Sequence, residues 1–350
     1  MGRGARALST AGVPANGGAS TILRTVLALL VVASHAPHLL SGEPGSQPLS
    51  RPALGNLGDM AVNAFLALSG YFVTASAIGH DGIVSFARAR AARLLPALWI
   101  HAVAGALLAG ALLSPTGVAS HLGSADVWAD AGRIAIGMWK DYAITGSDGV
   151  LGSVFSSNPD VRWNEPLWTI KYEVFCYAAS GGLAMIAPHA AGRRRILWMA
   201  AILLAAPAVI AAAQGPGPAM PWERLTACYA LGSAAFLIGA RQATLAALAA
   251  AAAIAVATWP QSHAMQPAAW VAVGCAAIWI ARIPLAIRLP DPSYGIYVWA
   301  WPVSQCLIAL GFSGGPLTLW AATATLSGAI ALMSWSMVES PMRTLMRTRP

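Results

Sequence analysis

Arg24 and His35 bracket ten residues, Thr-Val-Leu-Ala-Leu-Leu-Val-Val-Ala-Ser, that carry no charge. On a helix rising 1.5 Å per residue the imidazole lies about 16 Å beyond the guanidinium, so an arginine at a membrane surface puts the histidine near the bilayer centre. An ionisable group at that depth is a functional candidate by default. In its neutral form the imidazole can take a proton from a hydroxyl as a general base. A packing histidine bonded to a neighbouring backbone is the plainer alternative. His38, one turn further on, lies on the same side and is either a partner of His35 or an interfacial residue.

Three further constellations carry candidate chemistry. In Phe86-Ala-Arg88-Ala-Arg90-Ala-Ala-Arg93-Leu-Leu-Pro96, Arg90 and Arg93 share a helix face while Arg88 points elsewhere. Two adjacent guanidiniums clamp phosphate well, and the same residues also serve as a plain cytoplasmic anchor. The stretch Trp163-Asn-Glu-Pro-Leu-Trp168-Thr-Ile-Lys171-Tyr-Glu173 places Glu173 about two turns inside an apolar segment, where it needs Lys171, His35 or an arginine as partner. A structural ion pair accounts for it equally well. The aromatics around Trp168 fit an interfacial belt or a pocket that stacks on sugar rings. Between Asp291 and Pro302, Tyr294, Tyr297, Trp299 and Trp301 mark a cavity wall or an interface girdle.

The elements that must position these residues follow from composition. The 350 residues are 57% hydrophobic and only 10% charged, with a mean hydropathy of +0.62. So few charges cannot coat a water-exposed globule, and the excess apolar surface requires lipid. Ten apolar segments can be drawn, at 22–41, 59–78, 94–113, 165–187, 195–213, 222–240, 243–258, 267–283, 292–312 and 316–337. The reading is an all-α polytopic membrane protein of about ten transmembrane helices. The net charge of +8 comes in short clusters between apolar runs, which orients membrane helices and does not indicate nucleic acid.

With both termini cytoplasmic, the inner face receives Arg3, Arg6, Arg24, Arg88, Arg90, Arg93, the trio at 193–195, Arg241, Arg282, Arg288, Arg343, Arg347 and Arg349, most of the 21 basic residues. That satisfies the positive-inside bias at nearly every loop. Residues 1–20 read as a disordered cytoplasmic tail, 21–342 as one integral-membrane domain and 343–350 as a second tail. The interval 114–164 is the longest polar one and falls outside. Within it Val127 to Tyr142 alternates apolar and charged residues at helical spacing, as an interfacial amphipathic helix does. Cys176, Cys228, Cys275 and Cys306 lie in different apolar runs without metal-ligand spacing, so neither a disulfide framework nor a metal site is implied.

Taken together the sequence resembles the bacterial membrane acyltransferase family 3, whose members O-acylate O-antigens, exopolysaccharides and Nod factors. The residues carrying the resemblance are Arg24 with His35; the run Gly58 to Tyr71, including Ser69; Arg90 and Arg93 before Pro96; Asn164, Trp168 and Glu173; Ser293-Tyr294-Gly295-Ile296-Tyr297; and Glu339 with Pro341. Asn63 stands where the family often has an acid, and Leu66 replaces the second of two phenylalanines.

The resemblance implies transfer of an acyl group, usually acetyl, from cytoplasmic acyl-CoA to a hydroxyl of a glycan or lipid-linked sugar in the bacterial cytoplasmic (inner) membrane. Acetyl-CoA would be a substrate, with no bound cofactor. His35 takes the position of the family's essential histidine; from the residues themselves, Glu173 is expected to orient or charge it. Arg24, Arg90 and Arg93 match its essential arginines, expected on the acyl-CoA phosphates. Ser69, Trp168, Tyr294 and Tyr297 are the acceptor-pocket candidates. A transporter of a lipid-linked sugar or small metabolite is the competing class, since buried His and Glu occur there too.

Overall fold

The computed structural model describes residues 17–50, 55–80, 82–136, 154–214, 220–239, 241–258, 266–287, 289–342 and 344. Regular structure among them is helical: α1 (Gly18–Ser41), α2 (Leu57–Gly79), α3 (Ile83–Leu113), α4 (Val118–Gly123), α5 (Ala125–Ile136), α6 (Ile170–Cys176), α7 (Ala190–Gln214), α8 (Pro221–Ile238), α9 (Gln242–Thr258), α10 (Gln266–Ala281), α11 (Ser293–Ala309) and α12 (Pro316–Ser334). A 3₁₀ turn, Glu165–Thr169, precedes α6, and π-helical stretches follow α6 and α12 (Tyr177–Gly182, Trp335–Glu339) and interrupt α3 (His101–Ala109). Each of the ten apolar segments contains helix, although 185–187 of the fourth are turn and bend and position 240 of the sixth lies outside the described residues.

Among the described residues, four helices are long and apolar enough to cross a membrane: Gly18–Ser41, Leu57–Gly79, Ile83–Leu113 and Pro316–Met342. Large apolar side chains such as Leu112, Ile186, Leu317 and Met337 are exposed, which suits lipid and not water. Helix α1 starts at Gly18, within the stretch read as tail, and Ser20 Oγ bonds the Gly17 carbonyl at its first turn. The remainder of both expected tails, at 1–16 and 345–350, and the 137–142 end of the expected amphipathic helix lie outside the described residues.

Local chemistry explains several boundaries. At the start of α2 the Asn56 carboxamide accepts from the Asp59 N–H at 2.8 Å, while the Asp59 carboxylate accepts from the Asn56 N–H at 3.1 Å. Two donors that the first turn would leave bare are thereby satisfied. Helix α8 begins with Pro221, whose missing N–H costs nothing at that position. It ends at Gly239 in the left-handed conformation, φ 69°. In the π-helical part of α3 the Ala106 carbonyl accepts from His121 Nε2 at 3.1 Å. Helix α5 buries Val127, Asp130, Ala131 and Ile134 and leaves Trp128 exposed, so the described part of the expected amphipathic helix has an apolar face that also carries one carboxylate.

The chain divides into two compact units. The first comprises Met1–Leu23, Asn63–Ala87 and Cys176–Leu289. There α7 packs on α8, α9 on α10 and α8 on α10. The backbones of α2 and α8 touch where Gly70 meets Tyr229 and Gly232 meets Ala67, so a Cβ at either glycine would run into a carbonyl. Close small-residue crossings of this kind are how helices associate without a hydrophobic drive.

The second unit comprises Arg24–Val62, Arg88–Phe175 and Pro290–Pro350. There α11 packs on α12 and α5 lies on the π-helical part of α3. Ala36, Leu39, Trp301 and Leu319 form a buried apolar cluster. Helix α12 comes so near α11 at Gly295 that a Cβ there would lie 2.7 Å from the Ala331 methyl.

Candidate active site

The second unit holds a small, partly open cleft between two helical stripes. Helix α1 contributes Ala28, Val31, Val32, His35 and Leu39, and α11 contributes Tyr297, Ala300, Trp301 and Ser304, with Pro166 of the 3₁₀ turn beside them. Both stripes repeat at intervals of three, four and seven residues, the spacing that keeps side chains on one helix face.

Of the sequence candidates, the cleft unites His35 and Tyr297. His35 is partly buried, its Nδ1 lacks a hydrogen-bond partner among the described residues, and its ring meets Trp301 in a T-shaped contact, centroids 5.1 Å apart. The Tyr297 hydroxyl donates to the Pro166 carbonyl at 2.6 Å and lies 2.6 Å from Thr169 Oγ1. Thr169 also donates to the Pro166 carbonyl, at 3.1 Å.

His38 has the opposite character. Its Nδ1 is 3.1 Å from the Glu43 carbonyl, which can only accept, so that nitrogen carries a proton. Its Nε2 lies 2.8 Å from both Asp160 Oδ2 and Arg162 Nη2. A neutral ring accepts there from Arg162 and a charged one donates to Asp160. Both nitrogens are engaged in either state, so His38 is locked while His35 keeps a nitrogen for chemistry.

Arg162 also pairs with Asp160 and Glu165. One ligand atom each from His38, Asp160 and Glu165 lies within 4.8 Å of the others, but the guanidinium already bonds all three and fills the place of a cation. Burial works against the Asp160 charge, yet hydrogen bonds from His38 and Arg162 hold its carboxyl below the usual carboxylate range.

The other candidates are placed separately. Arg24 is buried and bonds Asp291 at 3.2 Å. Asp291 also accepts from Ser293 Oγ at 2.5 Å. Arg90 and Arg93 are partly buried on α3 and Arg88 is exposed, as the helical spacing implies. Glu173 is half-buried on α6, Trp168 packs edge-on against Tyr172, and Tyr294 is buried in α11. Ser69 belongs to the first unit, where its hydroxyl donates to Tyr177.

Sequence reasoning did not single out His101. It is fully buried in the π-helical part of α3, and its Nε2 accepts from Trp163 Nε1 at 3.2 Å and Asn164 Nδ2 at 3.3 Å. The proton therefore resides on Nδ1, which has no partner and faces Gly105, where a Cβ would stand 2.9 Å away. A histidine in a long apolar helix was the available signal.

An all-helical protein of membrane character, with an imidazole and a phenol sharing a cleft, is the class that fold and site define. The acyltransferase 3 family, described as an acyltransferase domain, matches residues 19–338, and the chain belongs to it. The chain is also similar to an O-acetyl transferase of Shigella phage Sf6, 25% identical over 342 residues that cover 93% of this chain and 96% of the phage protein. No solved structure matches. The matched residues include every one that lines the cleft.

Proposed function

We propose that this acyltransferase is a membrane O-acetyltransferase that moves an acyl group, acetyl above all, from cytoplasmic acyl-CoA to a hydroxyl of a cell-surface or exported glycan. The observation that carries the reading is an imidazole whose Nδ1 is buried without a partner, in a cleft that also contains a phenol, inside an acyltransferase domain.

His35 takes the proton of the acceptor hydroxyl as its oxygen attacks the thioester carbonyl. The carbon–oxygen bond forms, the carbon–sulfur bond breaks, and the imidazolium returns the proton to the departing thiolate of CoA. Tyr297 is the neighbouring donor for the tetrahedral oxyanion. Glu173 supports the charge of the site, Arg90 and Arg93 grip the CoA phosphates and Arg24 assists them. Trp168 and Tyr294, in the same unit as the cleft, complete the acceptor pocket. The frame for this scheme is a ten-span bundle, residues 21–342, in the bacterial inner membrane with both ends cytoplasmic. The interval 114–164 is extracytoplasmic and brings the acceptor from the opposite face. Acyl-CoA enters as substrate, and the scheme uses no resident cofactor or metal.

The test compares the surface glycans of deletion and complemented cells by mass. A repeat unit heavier by one acetyl group with the wild-type gene, and not with His35→Gln, is the expected result. Identical masses in all strains overturn the reading. Protein incubated with acetyl-CoA alone and quenched rapidly should show no covalent acetyl group. An acetylated His35 would replace direct transfer by a two-step route.

A further inference from the structure

A histidine that acts as a base is ordinarily oriented by a third group, commonly a carboxylate on its second nitrogen. His35 has no hydrogen bond at Nδ1, yet its ring is not loose. It meets Trp301 at 5.1 Å with the planes at 75°, an edge-to-face arrangement that aromatic rings prefer. Trp301 is itself among the most firmly held side chains in the second unit. It is 2% exposed, its indole N–H donates to the Arg162 carbonyl at 2.9 Å, and the Arg162 guanidinium lies 5.4 Å from its ring centroid.

The segment that holds Trp301 is fastened in turn. Gln305, one turn along α11, donates to the carbonyls of Asp160 and Arg162 at 2.7 and 2.8 Å, and the Arg162 side chain is tied to Asp160 and Glu165. A continuous set of contacts thus runs from the Asp160–Arg162 segment through the indole to the imidazole.

We propose that Trp301 is the positioning residue of His35: an indole fixed by the Asp160–Arg162 segment sets the plane of the imidazole, the task a carboxylate performs in other histidine bases. The inference rests on the reading of His35 as the base. Orientation by ring contact has a chemical consequence, because no nitrogen is consumed in holding the ring. Nδ1, buried and without a partner among the described residues, keeps its proton-accepting capacity unspent. Small displacements of a catalytic group are costly, about 100-fold in rate for roughly 1 Å, so loss of the ring should act on turnover and not on donor binding.

The experiment uses membranes of a deletion strain expressing full-length wild type, Trp301→Phe, Trp301→Leu or His35→Gln, supplied with radiolabelled acetyl-CoA and their own unmodified glycan. Trp301→Phe retains an aromatic ring and should keep kcat within about threefold, whereas Trp301→Leu should lose roughly 10- to 100-fold in kcat with the KM for acetyl-CoA within about twofold. Equal kcat in the Phe and Leu variants, or a change confined to KM, overturns the proposal. If Trp301→Leu fails to give a monodisperse detergent-solubilised protein, Trp301→Met replaces it. Failure of both to fold would make Trp301 a purely structural residue and likewise overturn the proposal. His35→Gln separates this inference from the one beneath it. Full transfer by that variant removes the base itself, whereas an inactive His35→Gln beside an unimpaired Trp301→Leu removes the role of the indole alone.

Discussion

Arg24 and Asp291 form a buried ion pair at 3.2 Å, with Asp291 two residues before α11 begins at Ser293, and His35 meets Trp301 further along. The two contacts lie eleven residues apart along α1 and ten apart along the segment that leads into α11, so the two segments run side by side in the same direction. The ion pair fixes the register that brings the imidazole to the indole. It also neutralises the guanidinium, so a phosphate reaching Arg24 competes with Asp291.

Removing Asp291 should therefore damage the fold before it affects donor binding. A buried arginine left without its carboxylate costs roughly 3 kcal/mol, and Asp291→Ala should lower the thermal midpoint in detergent by several degrees. The Arg24→Ala, Asp291→Ala double variant should be more stable than the sum of the two single losses implies, because it leaves no unpaired charge. Additive losses would mean that the pair contributes no coupling.

How far the sequence revealed this arrangement depends on distance along the chain. Helix positions were legible because burial in lipid demands long apolar runs, and each of the ten segments contains helix. His35 was legible as a candidate because ionisable groups within such runs are expensive, and Tyr297 as one of four clustered aromatics that also carry the family resemblance. The pairing of His38 with Asp160, 122 residues away, was not, since spacing reports neighbours within a helix turn and is silent about which loop folds back. The same holds for Arg24 with Asp291, 267 residues apart, and for His101 with Trp163 and Asn164. Helical spacing correctly separated Arg88 from Arg90 and Arg93, because that distinction is local.

Asp160 predicts a pH dependence of stability. Its folded-state pKa is depressed, below the value of about 3.9 expected in the unfolded chain. Its contribution is therefore fully present above the unfolded value and is lost as pH falls through the folded one. Asp160→Asn should lower the thermal midpoint at pH 7 by the equivalent of roughly 3 kcal/mol, and the difference from wild type should shrink below about pH 4. A difference that does not change with pH would show that the carboxylate charge is not the source.

Two glycines should tolerate no side chain, each for a different helix pair. Gly70→Ala sets a Cβ against the Tyr229 carbonyl in the first unit, and Gly295→Val sets one against Ala331 in the second. Overpacking of this kind costs about 1–3 kcal/mol. The backbone carbonyl at Gly70 can yield less than the methyl at Gly295, so Gly70→Ala should give the lower yield of monodisperse protein relative to its added volume. Wild-type yields from both variants would contradict these contacts.

Tyr297 offers the sharpest separation of chemistry from packing. Its hydroxyl and that of Thr169 share the Pro166 carbonyl, so Tyr297→Phe leaves that carbonyl satisfied by Thr169 and keeps the ring in place. The stability change should be about 1 kcal/mol or less. If the phenol turns to the oxyanion during transfer, the loss of one such donor costs on the order of 100-fold in kcat, with the KM for acetyl-CoA nearly unchanged. Thr169→Val should show the reverse balance, a similar small loss of stability and little loss of turnover, because Tyr297 still satisfies Pro166 and still faces the cleft. Equal kinetic losses in the two variants would assign both hydroxyls to holding the 3₁₀ turn and leave the oxyanion to another donor.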